Sequence, residues 1–176
     1  MPTRSSRLMI IAALVLAAAC EGGETVAPVT VTGPAAAAAT TPTRQAFSGP
    51  FEFDFTCPGF LATNAGVASG WETFYYSDGT PSRSVVHIAL TGSITNTSTG
   101  KALSNEANFT MTTDLLTGQS SIAGGALHVV SKGQGIVVLD VGIIRIDGNG
   151  NIVFEGGRHD LANGAAEANE CAALAS

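Results

Sequence analysis

The side chains able to move protons or hold a metal are few and scattered. The chain has three histidines, His87, His128 and His159, and a barrel could bring them together with Asp140 or Asp160. No H-x-H or H-E-x-x-H spacing links the histidines, so a metal site would have to be assembled by the fold. There is no G-x-S-x-G, and the serines lack a neighbouring base in sequence. No catalytic residue, metal ligand or cofactor is therefore assigned. The set left as a candidate pocket is His87, Asp140 and Arg145, with Trp71 and Tyr75 as aromatic walls. If its titratable members converge, an enzyme is favoured, of isomerase or cyclase type on a small apolar substrate. If only aromatic and aliphatic walls meet, the expectation is a non-catalytic binding or structural module.

Three cysteines, Cys20, Cys57 and Cys171, raise a question of parity. Neither Cys57 nor Cys171 has a Cys or His at metal spacing. A disulfide between Cys57 and Cys171 is expected, and it leaves Cys20 over. Asp147-Gly148-Asn149-Gly150-Asn151 has the opening of a calcium loop but no later Glu at the required offset, so it is read as a hairpin turn. Asn96-Thr97-Ser98 and Asn108-Phe109-Thr110 fit the glycosylation sequon and carry no weight here.

The elements that must position these residues read as β. Phe51, Phe53 and Phe55 alternate with Glu52, Asp54 and Thr56, and Val86, Ile88 and Leu90 alternate with His87, Ala89 and Thr91. Ala107, Phe109 and Met111 repeat the pattern, and apolar runs follow at 126–130, 136–146 and 152–154. Gly-containing turns separate them, around Gly79, Gly100, Gly118, Gly133 and Gly148, and short turns of this kind join antiparallel neighbours. The fold class is all-β: an antiparallel meander of about seven strands. Glycines near strand centres (Gly92, Gly124-Gly125, Gly142) imply bends that coil the sheet. The expectation is closure into a small barrel, with a β-sandwich as the alternative. Ile88, Leu90, Phe109, Leu127, Val138 and Ile144 are expected in the core. The segment 136–146 is apolar on both faces, so an Ala-rich helix within 161–176 is expected to cover its outward side.

Residues 1–19 carry Arg4 and Arg7, an apolar stretch from Leu8 to Leu16 and then Ala17-Ala18-Ala19 before Cys20. This is the layout of a secretory signal peptide. The junction resembles the lipobox of bacterial lipoproteins, although Ala17 stands where that pattern prefers Leu. The resemblance implies that Cys20 is lipidated, that the domain is exported and that it is held on the outer side of the cytoplasmic membrane or in the outer membrane. An ordinary A-x-A cleavage site would instead give a secreted protein. Residues 20–45 are rich in Thr, Pro and Ala and read as a linker, and 46–176 as a single β domain. With a formal charge of −6, nucleic acid is not an expected partner. The expected partners are the membrane, through the lipid, and a small apolar ligand or an envelope protein.

The body itself is similar to small exported bacterial proteins of unknown function. The likeness rests on Cys57, the stretch Gly157-Arg158-His159-Asp160 and the ending Cys171-Ala172-Ala173-Leu174. It implies a β fold and no known activity.

Overall fold

A computed structural model describes residues 41–176. The signal region, Cys20 and most of the linker lie outside the described residues. The elements are β1 (Thr43–Cys57), β2 (Phe60–Ser77), β3 (Thr80–Asn96), β4 (Ala102–Asp114), β5 (Ser120–Ser131), β6 (Gly135–Ile146), β7 (Ile152–His159) and a helix, α1 (Ala166–Ala175). They form one 7-stranded antiparallel sheet in the order β1 to β7. The all-β meander is thus as expected from the alternation and the turns.

Register sorts the side chains into two faces. Ala62 pairs with Asn96, Ile94 with Leu103, Ile88 with Phe109 and Val129 with Val138. These residues belong to the inner face, and their period of two puts every second residue of each strand into the core. Two apolar clusters form there. One gathers Ala62, Ile94, Leu103, Val129 and Val138 with Cys57 and the helix. The other gathers Val86, Ile88, Ala107 and Phe109, with Phe47, Leu90, Met111 and Ile122 packed against it. Ile88, Phe109, Val138 and Ile144 are buried, whereas Leu90 and Leu127 are only partly so.

Glycine lets the long strands coil. Gly124, Gly142 and Gly157 are cross-strand partners, and their φ angles are 123°, 140° and 125°. A Cβ on Gly142 would sit 2.1 Å from the Gly156 carbonyl oxygen, so the backbone itself occupies the side chain's place. On the other half of the sheet Gly66 faces Gly92, and the Phe51 ring lies over Gly66 as Phe47 lies over Gly70. An aromatic ring laid on a neighbouring glycine restores the packing that the missing side chain gives up.

The coil stops short of a barrel. Among the described residues β1 and β7 each pair on one side only, so the sheet has two free edges, and it is a single sheet with no second layer. β7 is only 8 residues long, and the chain leaves it at Asp160 to form the helix. The helix buries Ala166, Glu170 and Leu174, spaced one turn apart, together with Cys171. This stripe joins the inner cluster, so α1 plugs the concave side. The outward side of β6 is not covered: Val141 is 41% exposed, and Phe154, paired with Arg145 from β7, is 46% exposed. A helix tied to the end of β1 can reach the concave face, where it fills the space that a closed sheet would enclose.

The tie is the Cys57–Cys171 disulfide, with a Cα–Cα distance of 5.4 Å. It joins the end of β1 to α1 across 114 residues. Loop-closure entropy alone gives such a bridge about 4–5 kcal/mol.

Candidate functional site

Two groups of polar side chains stand out, one on each face of the sheet. The inner one is a knot at the end of β7. Asp140 on β6 pairs in register with His159 on β7. Asp140 Oδ1 is 3.1 Å from His159 Nδ1, and Asp140 Oδ2 accepts the Leu161 N–H at 2.9 Å. One strand position away, Asp160 Oδ2 accepts the Leu139 N–H at 2.9 Å. The two carboxylates therefore exchange bonds: the one on β6 holds the turn, and the one in the turn holds β6. Arg158 completes the knot with a two-pronged contact to Asp160, Nε to Oδ1 at 3.1 Å and the terminal nitrogen to Oδ2 at 2.8 Å.

The electrostatics follow from these contacts. Burial pulls the His159 pKa down, but the Asp140 hydrogen bond, the Gly156 carbonyl and the charges of Asp140 and Glu155 outweigh it and hold the imidazole above its ordinary value. Both ring nitrogens face acceptors, since Nε2 is 3.2 Å from the Gly156 oxygen, so the doubly protonated ring suits the site. Asp160 is held below the usual carboxylate range, chiefly by the Arg158 hydrogen bond. Asp140, His159 and Asp160 are all buried. Their bonding capacity is directed at backbone and at one another, which is the arrangement of a structural latch.

Glu170 is the polar residue that the sequence reading missed. It lies in the buried stripe of α1, 7% exposed, and burial with the nearby charge of Glu167 pushes its carboxyl up to about 7. The spacing 166, 170, 174 in an Ala-rich helix was the available signal.

The outer group is a ladder across β1 to β4. Trp71 and His87 are register partners, as are His87 and Thr110. The Arg44 guanidinium lies 4.0 Å above the Trp71 ring, and the Trp71 and His87 rings stack with centroids 5.5 Å apart. His87 Nδ1 is 3.3 Å from the Thr110 hydroxyl. Further along β2, on the same face, Tyr75 pairs with Arg83, whose guanidinium is 4.1 Å from its ring. Side chains standing from neighbouring strands meet in this way because directly opposed positions are close.

The structure thus brings Trp71, Tyr75 and His87 to one face. It puts Asp140 on the other, inside the knot. Arg145 is on β6, with its guanidinium 5.2 Å from the Phe154 ring. His128 makes a 2.7 Å contact with Glu106 on the exposed surface of β4 and β5. The five candidate pocket residues do not share one cavity. An open hollow of about 660 Å³ lies elsewhere, between the β1–β2 turn and α1, with Pro58, Phe60 and the disulfide among its walls.

No protein-family model, curated protein or solved structure matches this chain.

Proposed function

We propose that this chain is an exported, lipid-tethered domain of the cell envelope, and that it binds a partner rather than catalysing a reaction. The observation that carries the reading is the Cys57–Cys171 bridge. A stable disulfide between distant elements suits an oxidising compartment outside the cytoplasm. It also uses two of the three cysteines and leaves Cys20, at the end of the signal-like segment, as the odd one. An acylated Cys20 accounts for it, and a doubly acylated cysteine anchors stably. The bias toward binding comes from how the polar groups are used. The buried acid and base side chains bond to backbone, while the outer ladder keeps cationic and aromatic groups at an open surface. Complete closure of the curled sheet into a barrel is not needed for this role.

The test is the intact mass of the mature protein together with membrane fractionation. The reading expects Cys20 at the mature N-terminus carrying acyl chains, and Cys20→Ala protein released to the soluble fraction. An unmodified Cys20 would leave plain secretion and end the tether reading.

A further inference from the structure

The ladder on the outer face has a chemistry of its own. Two arginines stand on it, Arg44 and Arg83, each laid over an aromatic ring. The rings belong to Trp71 and Tyr75, four residues apart on β2, so the two stations are roughly 13 Å apart along the strand. Both guanidiniums are on exposed residues, and neither is ion-paired to a described residue. The chain as a whole is acidic, at −6. Among the other cations, Arg158 is committed to Asp160 and Lys101 to Ser176, and Arg145 lies over the Phe154 ring of β7, away from β1 to β4.

This geometry selects among ligands. The upper face of each ring is taken by a guanidinium, and Trp71 also stacks on His87. The rings are therefore not free platforms for a neutral sugar. What the ladder presents is a pair of guanidinium edges, pre-oriented by stacking, with the Thr110 hydroxyl and His87 beside one of them. A stacked guanidinium has a planar fork suited to a carboxylate. One exposed arginine holds a single small anion poorly, because water and salt screen it. Two stations on one open strand suit an extended polyanion, where the second contact gains from the first. Asp114 pairs in register with Arg83, but its Oδ1 accepts the Leu116 and Thr117 N–H groups of its own turn.

We infer that the Arg44–Trp71–His87 and Arg83–Tyr75 stations form a binding face for an acidic polysaccharide, one whose uronate carboxylates bridge the two arginines. The inference rests on the binding-module reading and names the ligand class for it.

The experiment measures binding of the purified full-length mature protein to polygalacturonate, to neutral dextran and to phosphatidylglycerol vesicles. Polygalacturonate should bind, weaken as salt is raised and outcompete dextran. Arg44→Gln and Arg83→Gln should each weaken it about tenfold, the loss of one charge-assisted contact. Lys132→Gln, an exposed cation on the β5–β6 turn, should leave it unchanged. Thermal melting checks that each variant is folded. Polygalacturonate binding no better than dextran overturns the inference, as does equal weakening by Lys132→Gln, which would mean diffuse charge. Vesicle binding through the same arginines without polygalacturonate binding overturns it too. Loss of polysaccharide binding with Cys20 acylated removes this inference alone. Binding with an unmodified Cys20 removes the tether and keeps it.

Discussion

The two faces of the sheet use similar side chains for opposite ends. At the end of β7 a buried histidine and two buried aspartates sit together with a half-exposed arginine, and the aspartate oxygens accept backbone or side-chain donors at 2.8–3.1 Å. On the outer face Arg44, Arg83 and Arg145 lie over the Trp71, Tyr75 and Phe154 rings, and His87 stacks on Trp71. Residue type alone would rank the first group as the more chemical. Burial and saturation reverse that ranking: a carboxylate that already holds two strands together has little left for a ligand. In an all-β protein, the sides of the sheet differ more in function than its residues do in kind.

The comparison can be tested from the knot outward. Asp140→Ala leaves the His159 ring nitrogen and the Leu161 N–H without their acceptor, the first of them fully buried. Removing one partner of a buried ion pair costs about 3–5 kcal/mol, so chemical denaturation should show a loss of that size. A loss below 1 kcal/mol would mean that the knot is not the latch described.

Glu170 gives the next largest effect, and it depends on pH. Its folded pKa, about 7, lies above the ordinary value of 4.5. The folded state therefore holds a proton that the unfolded state has lost between these values. Stability from this group is full below about pH 4.5 and is lost as pH rises to 7, by about 3 kcal/mol in all. His159, raised above 6.5, acts with the same sign at somewhat higher pH. Glu170→Gln cannot ionise, so its stability should stay flat from pH 4.5 to 7 where that of the parent falls. Parallel curves for the two proteins would show that Glu170 does not titrate in the fold.

The outer ladder should contribute least to stability. His87→Ala removes one stacked ring and one long, part-buried hydrogen bond, and should cost about 1 kcal/mol in the same denaturation assay. A cost near that of Asp140→Ala would make the ladder part of the scaffold and erase the contrast between the faces.

Much of the fold was legible because the alternation is clean. Ile88, Phe109, Val138 and Ile144 could be assigned to the core from a period of two, and the glycine turns marked the hairpins. Gly142 could be read as a bend from its place within an apolar run. The strands proved longer than the apolar runs: β3 starts at Thr80, six residues before Val86, where the alternation begins. Polar residues near a turn carry no burial signal even when their backbone is paired. The partial exposure of Leu127 has a local cause, since the β5–β6 register shifts between Gly125 and Leu127.

The site was less legible for a related reason. Whether His87 meets Trp71 or faces away from it depends on register, and a slip of one residue moves a whole strand's side chains to the other face. Here the register shifts between Tyr75 and Tyr76, just before the hairpin turn. The sequence contains every member of the ladder and of the knot, but not the pairing that makes them neighbours. Closure was also beyond reach, because it depends on how far successive bends add up and on where β7 stops.

The position of the disulfide sets how the domain answers a mechanical pull. β1 is a free edge, and the chain enters it at Thr43. A load applied through the preceding residues falls first on the β1–β2 hydrogen bonds. Peeling can proceed along the 15 residues of β1 and no further, because Cys57 is bonded to α1. That releases a slack of about 50 Å. The rest of the sheet, with both candidate arginine stations split only at Arg44, then bears the load through a covalent bond. Under drag the domain behaves as a strap with a fixed stop, lengthening by one strand while β2 to β7 keep their register.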